Sequence, residues 1–95
     1  MLTHEQISLA VNKVAESYPI KKVSYFGSYA DGNATEESDL DLLVEFKPDE
    51  KISLFEVSGI KIDMEDLLNI PVDVIPLPLP ENSIIEINKV VRVYG

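Results

Sequence analysis

Five residues in this 95-residue chain have types and spacing that could do chemistry. Gly27 and Ser28 follow the apolar run VSYF, and Asp39 and Asp41 form an Asp-x-Asp at the head of the next apolar run, LLVEF. On a β-strand, Asp39 and Asp41 would point to the same side, with Cα atoms roughly 6.6 Å apart. At about 5 Å and an effective dielectric constant of about 20, two such carboxylates repel by roughly 3 kcal/mol. The pair therefore needs a positive counterpart.

The fifth residue, Asp73, lies between two valines in the segment IPVDVIP, which reads as a short strand. If this strand pairs beside the strand that carries Asp41, Asp73 joins Asp39 and Asp41 on one face. Oxygen ligands alone select hard cations such as Mg²⁺ or Mn²⁺. Because the only histidine, His4, is far away along the chain, a zinc site is not expected.

The Gly27-Ser28 pair could supply the phosphate-binding half of such a site. Glycine lets the backbone approach a phosphate closely, and the serine hydroxyl with nearby N–H groups can donate to phosphate oxygens. A nucleoside triphosphate could then bridge this turn and two metal ions held by the aspartates. That arrangement suits in-line displacement of pyrophosphate by an incoming hydroxyl. Asp73 would hold the metal nearer the nucleophile and take its proton.

The elements that would position these residues follow from capping and periodicity. Thr3 and Gln6 form a capping-box pattern, which predicts a helix that stops at Pro19. Residues 23–26 and 39–46 predict the first two strands, the second with alternating apolar and polar positions.

In the second half of the chain, the sequence predicts a helix, a third strand over 72–75 and a last helix from Glu81 to about Tyr94. The first of these helices contains Gly59, which weakens it. Its predicted core-facing residues are Leu54, Val57, Ile60, Met64, Leu67 and Leu68. Those of the last helix are Ile84, Ile85, Ile87, Val90 and Val91.

This order of elements predicts one α/β domain over residues 1–95, with a small mixed sheet of about three strands flanked by helices. The composition, 45% hydrophobic and 26% charged residues, is that of an ordinary soluble globule. No apolar stretch is long enough for a membrane span. The absence of cysteine and of a signal-peptide pattern fits the cytoplasm.

The formal net charge is −9. Since affinity for DNA or RNA comes chiefly from cationic contacts, direct binding of nucleic acid is not expected. A basic protein partner would fit the charge. Residues 84–93 carry more apolar side chains than one helix face needs, so a partner or self-association surface is expected there, in a hetero-oligomer or a homodimer.

The spacing G-S, ten residues, D-x-D, then LLV and a later V-D-V resembles the minimal nucleotidyltransferases of the DNA polymerase β-like superfamily. The matching residues are Gly27, Ser28, Asp39 and Asp41, with Asp73 as the third carboxylate. The small size resembles the antitoxin members that are paired with HEPN-domain RNase toxins. The resemblance implies a polymerase β-like fold, two Mg²⁺ ions (or Mn²⁺), and transfer of AMP from ATP to a tyrosine of the toxin.

One residue departs from the pattern of that family. The family commonly reads G-S-x-A-R-G, whereas this chain has Asp31 where the arginine would stand. The added negative charge implies either weaker ATP binding or substitution by another cation, for which the candidates are Lys21, Lys22, Lys47 and Lys51. The departure leaves a second reading open, in which the chain is a binding-only antitoxin that blocks the toxin without catalysis. A nucleotidyltransferase acting on a small molecule is a third reading.

Overall fold

The computed structural model describes residues 1–78 and 89–95, which contain three helices and four strands. The elements are α1 (His4–Ala15), β1 (Ile20–Phe26), α2 (Ser28–Asp31), β2 (Leu40–Phe46), α3 (Leu54–Leu68), β3 (Val72–Pro76) and β4 (Val91–Tyr94). The predicted α/β class is confirmed. In this part of the chain, no helix is long and apolar enough to cross a membrane.

The four strands form one mixed sheet in the order β3-β2-β1-β4. Strand β1 pairs antiparallel with both β2 and β4, whereas β3 pairs parallel to β2. Helix α3 makes the crossover that parallel pairing requires. The sheet has four strands where the sequence predicted about three, because the end of the chain adds one.

Helices α1 and α3 pack on one face of this sheet. The strands contribute Val23, Leu42 and Val44 to the shared core, and each is at most 2% exposed. Leu40, Leu42 and Val44 of β2 belong to this core, as the period-two pattern predicted, although Leu43 on the opposite face is buried as well. The opposite face carries the intervening residues, among them Asp41, and it is this face that matters for the site.

Helix α1 begins as predicted. The Gln6 backbone N–H donates to Thr3 Oγ1 at 3.2 Å, and the Thr3 N–H donates to Gln6 Oε1 at 2.9 Å. This reciprocal pair satisfies two N–H groups that a helix start leaves free. Helix α3 has an equivalent capping box, which the sequence analysis missed, between Ser53 and Glu56.

The core-facing side of α3 was only partly predicted. Ile60 and Met64 are 2% and 1% exposed, and Val57 and Leu68 are partly buried. The prediction was wrong for the two other leucines, which the structure leaves exposed, at 83% for Leu54 and 49% for Leu67. At about 100° per residue, they lie about 80° and 60° around the helix axis from Met64, outside the packed stripe.

Gly59 has a packing role in α3 that its low helix propensity conceals. A Cβ at this position would overlap the phenol oxygen of Tyr18, and two ring carbons would lie 3.1 Å away. The same phenol O–H donates to Asp63 Oδ2 at 2.9 Å, which fixes the ring across the helix. Glycine therefore lets the Tyr18 side chain cross α3 at close range.

Gly59→Ala is therefore expected to destabilise the protein, although alanine favours helix. Overpacking costs about 1–3 kcal/mol and the propensity gain is about 1 kcal/mol, so the net loss should be about 1 kcal/mol. Urea unfolding measures it. Ser58→Ala, at an exposed position of the same helix, is the control and should not destabilise. The Gly59→Ala loss should shrink in a Tyr18→Phe background, and an equal loss in both backgrounds would contradict this account.

The prediction of a last helix running to Tyr94 was wrong at its end. Val91–Tyr94 is strand β4, with Val91 opposite Tyr25 and Arg92 opposite Ser24 on β1. β-Branched and aromatic residues favour a strand here, and the edge of β1 supplies hydrogen-bond partners. Val90 is exposed rather than inward. The part of the predicted helix over residues 81–88, with its inward residues Ile84, Ile85 and Ile87, lies outside the described residues. The same is true of residues 84–88, half of the predicted association surface.

Candidate active site

The turn after β1 places Gly27 and Ser28 at one end of the sheet. Gly27 has φ 74° and ψ −147°, a conformation that is essentially restricted to glycine. Ser28 then opens the single turn α2, which is closed by the Asp31 N–H donating to the Gly27 carbonyl at 2.9 Å. A helical turn thus follows Gly27 directly.

Strand register brings Asp41 to this turn. Phe26, the last residue of β1, lies opposite Asp41 on β2, so the next residue, Gly27, comes beside the Asp41 side chain. A Cβ built on Gly27 would lie 2.5 Å from Asp41 Oδ2. The Asp41 carboxylate therefore packs against the Gly27 backbone, in space that any other residue would fill.

The same rung of the sheet contains the predicted third carboxylate. Asp41 lies directly opposite Asp73 in the parallel pairing of β2 with β3. The conditional prediction that β3 pairs beside β2 and joins these two aspartates is confirmed by this register. Asp39 lies two residues before Asp41, exposed, just ahead of the first residue of β2.

The electrostatics of Asp41 reflect this crowding. Burial raises the pKa of the Asp41 carboxyl above its ordinary value of 3.8, and the negative charges of Asp73 and Asp39 raise this pKa further. Asp73 itself is exposed, with 62% of its side chain accessible. The site thus contains one half-buried carboxylate whose ionised form is disfavoured by burial and by neighbouring carboxylates, and a nearby cation would favour that form.

The donor set fits a magnesium ion that arrives with a nucleotide. Within residues 1–78 and 89–95, no three acidic, cysteine or histidine side chains form a complete metal site by themselves. Mg²⁺ is usually held by one or two carboxylates, with water and substrate phosphate oxygens completing its octahedron. Asp41 and Asp73 provide such a pair beside Gly27. The full ligand set of Asp39, Asp41 and Asp73, and phosphate binding by Gly27 and Ser28, stay predictions.

A residue that the sequence analysis did not consider, Lys61 of α3, lies beside this pair. Lys61 Nζ is 4.0 Å from Asp73 Oδ1, and it also donates to Glu65 Oε2 at 3.1 Å and to the Val72 carbonyl at 2.6 Å. The i, i+4 spacing of Lys61 and Glu65 signals an ion pair in the sequence. Their proximity to Asp73 follows only from the packing of α3 on β3.

The four lysines considered as substitutes for the missing loop arginine lie elsewhere. Lys22 is opposite Glu45 near the far end of β2, and Lys21 pairs with Glu45 at 3.9 Å. Lys47 follows the last residue of β2, and Lys51 lies further along that connection. These positions are at the opposite end of β2 from Asp41.

Sequence comparison relates most of the chain to known proteins. Residues 7–93 match the family profile described as nucleotidyltransferase domain. Protein adenylyltransferase MntA of Thermococcus cleftensis is 37% identical over 79 residues, which is 79% of this chain and 78% of that protein. A Methanocaldococcus jannaschii protein, assigned provisionally as a protein adenylyltransferase, is 40% identical over 63 residues, 66% of this chain. The match spans 62% of the length of that relative.

Solved structures share the fold. The crystal structure of a toxin–antitoxin with AMP-PNP contains a chain that superposes with a TM-score of 0.76 at 16% identity, over 93% of this chain and 73% of that one. A tri-AMPylated Shewanella oneidensis HEPN toxin in complex with an MNT antitoxin contains a match with a TM-score of 0.67 at 13% identity, over 98% of this chain and 73% of that one. At these identities, the likeness establishes the fold alone.

Proposed function

This chain belongs to the nucleotidyltransferase domain family, and from that premise we propose that it is an antitoxin that transfers AMP from ATP to a tyrosine of a cognate HEPN RNase toxin. The observation that carries the proposal is the rung in which Asp41 and Asp73 face each other beside Gly27. The names of the relatives support protein adenylylation as the activity. The toxin–antitoxin complexes of the same fold support the HEPN partner.

In the proposed reaction, each residue has a separate task. Gly27 and Ser28 bind the triphosphate through backbone N–H groups and the serine hydroxyl, and Asp39, Asp41 and Asp73 would hold two Mg²⁺ ions, which Mn²⁺ could replace. Bound metal supplies charge stabilisation for the pentavalent phosphorus and the leaving pyrophosphate. Asp73 takes the proton of the tyrosine hydroxyl. The tyrosine oxygen bonds to the α-phosphorus, and the bond between the α-phosphorus and the oxygen that bridges to the β-phosphate breaks.

The exposure of the site suits a macromolecular acceptor. Asp73 lies on β3, an outer strand of the four-stranded sheet, and most of its side chain is accessible. A tyrosine on the surface of another protein can therefore approach Asp73 from the side of the sheet. The net charge of −9 favours a basic protein over a nucleic acid as that partner. We expect the two proteins to act as a hetero-oligomer in the cytoplasm.

Labelled ATP tests the reaction directly. With the cognate toxin and Mg²⁺, label from [α-³²P]ATP should appear on the toxin, whereas label from [γ-³²P]ATP should not, because pyrophosphate leaves. EDTA should abolish transfer, and excess Mg²⁺ or Mn²⁺ should restore it. Label from the γ-position, or transfer that survives EDTA, would overturn the proposal.

A binding-only antitoxin is the second candidate, and Asp31 is the observation that favours it. Asp31 is exposed at the end of α2, where it adds a negative charge to the loop proposed to bind phosphate. This candidate predicts that the double variant Asp39→Ala, Asp41→Ala still neutralises the toxin, and does so without ATP. This candidate would be eliminated if the unchanged chain rescued toxin-expressing cells and the double variant did not.

A further inference from the structure

Lys61 and Glu65 of α3 bind both backbone groups of Val72, the residue before Asp73. Lys61 Nζ donates to the Val72 carbonyl at 2.6 Å, and the Val72 N–H donates to Glu65 Oε2 at 3.0 Å. The two side chains also bond each other at 3.1 Å. We call Lys61 and Glu65 together the α3 clamp.

The ammonium group of Lys61 connects helix α3 to the start of β3. Lys61 Nζ donates to the Val72 carbonyl at 2.6 Å and to Glu65 Oε2 at 3.1 Å, which uses two of the three N–H donors of a lysine. It also lies 4.0 Å from Asp73 Oδ1, an ion-pair distance that is too long for a hydrogen bond. The two hydrogen bonds therefore hold the residue before Asp73, and the ion pair reaches Asp73 itself.

The start of β3 depends on such a connection. Strand β3 pairs with β2 on one side and has no strand on the other in the sheet described for residues 1–78 and 89–95. The buried Val72 side chain anchors it to the core, and the α3 clamp binds its backbone. Since Asp73 is the next residue, a shift of the Val72 backbone would move Asp73 away from Asp41.

We propose that Lys61 and Glu65 are positioning residues that hold Asp73 opposite Asp41 for metal binding, an inference that rests on the proposed function. The role is geometric. The direction in which two substitutions change the metal affinity distinguishes it from a role of charge. If charge alone mattered, removing the cation of Lys61 would strengthen metal binding and removing the anion of Glu65 would weaken it. If geometry matters, both substitutions weaken metal binding.

The experiment measures Mn²⁺ affinity by electron paramagnetic resonance, with a non-hydrolysable ATP analogue present, apart from any turnover. Lys61→Met and Glu65→Ala should each weaken Mn²⁺ binding by about 10- to 100-fold, the usual effect of losing a group that orients a metal ligand. The double variant should be no worse than either single one, because the two side chains act as one unit. Lys61→Arg, which keeps the charge and the donors, should stay within about threefold of the unchanged chain.

Transfer kinetics give the second readout. Lys61→Met should lower kcat for AMP transfer by a similar factor at saturating metal, while the KM for ATP changes little, because Gly27 and Ser28 are untouched. Lys21→Met is the matched control: it removes a lysine from an ion pair in the same sheet, 3.9 Å from Glu45, without contacting Val72. Its Mn²⁺ affinity and kcat should equal those of the unchanged chain.

Circular dichroism and thermal unfolding establish that each variant is folded. If Lys61→Met does not fold, Lys61→Gln removes the charge but keeps a donor for the Val72 carbonyl: a geometric role predicts Mn²⁺ affinity close to that of the unchanged chain, whereas a role of charge predicts tighter Mn²⁺ binding. Opposite signs for Lys61→Met and Glu65→Ala, or unchanged Mn²⁺ affinity in both, overturn the positioning role and leave the proposed function standing. An unchanged chain that binds no Mn²⁺ and transfers no AMP overturns the proposed function, and this inference with it.

Discussion

Asp41→Asn is expected to lower AMP transfer by more than about 100-fold, because loss of a group that merely orients a metal ligand already costs 10- to 100-fold. Asparagine keeps the size of the side chain and one oxygen but loses the charge. The proposed metal-binding pair of Asp41 and Asp73 thereby loses one of its two negative charges. The fold should remain intact, since the Asp41 side chain makes no contribution to the apolar core.

The same substitution should make the metal-free protein more stable at neutral pH. Because the pKa of Asp41 is raised in the folded state, the folded state binds a proton more tightly than the unfolded chain does. The stability that protonated Asp41 contributes is therefore fully present below the pKa of this carboxyl in the unfolded chain. It is lost as the pH rises through the pKa of the same carboxyl in the folded protein. At pH 7 the carboxylate opposes folding, and Asp41→Asn removes that opposition.

Urea unfolding in EDTA, followed from pH 7 downward, measures the effect. The advantage of Asp41→Asn should be largest near neutrality and should shrink as the pH falls towards 3.8, the ordinary value for aspartate. Asp31→Asn is the control, because it removes an exposed carboxylate from the same loop region. Its effect on stability should be smaller than that of Asp41→Asn. A variant of Asp41 that is inactive because it is less stable would contradict the proposed origin of both effects.

Gly27→Ala is the second substitution with a large expected effect. The new Cβ would lie 2.5 Å from Asp41 Oδ2, so the carboxylate would have to leave its place. The backbone angles at Gly27 add roughly 1–3 kcal/mol of strain for any other residue. We expect a loss of stability of about 3 kcal/mol and, at temperatures where the variant is folded, a loss of transfer of about 100-fold or more.

Gly32→Ala is the control that separates strain from collision. Gly32 also has a positive φ, 78°, but a Cβ there would meet nothing within 4 Å. This control should cost about 1–2 kcal/mol of stability with transfer close to that of the unchanged chain. Thermal unfolding and the labelled-ATP assay make the comparison. Equal losses of transfer in the two variants would show that backbone strain, and not displacement of Asp41, is responsible.

Local signals in the sequence were sufficient for much of the fold. The Thr3 and Gln6 pair predicted where α1 begins, and the alternation after Asp39 predicted β2 and its two faces, because both depend on neighbours within a few residues. The end of the chain was different. The apolar run that includes Val91 and Val93 also fits a buried helix face, and only the available edge of β1 decides for a strand.

The candidate site was also predictable only in part. Spacing identified Gly27, Asp41 and Asp73 as candidates, and the register of two strand pairings brings them together. Lys61 could not be found in this way, since its contact with Asp73 exists only once α3 has packed against β3. The orientation of α3 was itself ambiguous, because apolar residues lie on most of its sides.

The parallel pairing of β2 with β3 has a consequence for a chain still being made. A hairpin cannot bring Asp41 beside Asp73, because parallel neighbours require a crossover. A nascent chain on the ribosome that has not yet released Val72–Pro76 therefore has one carboxylate of the pair and lacks the other. If Asp73 has the role proposed here, a chain that ends before this strand should not transfer AMP.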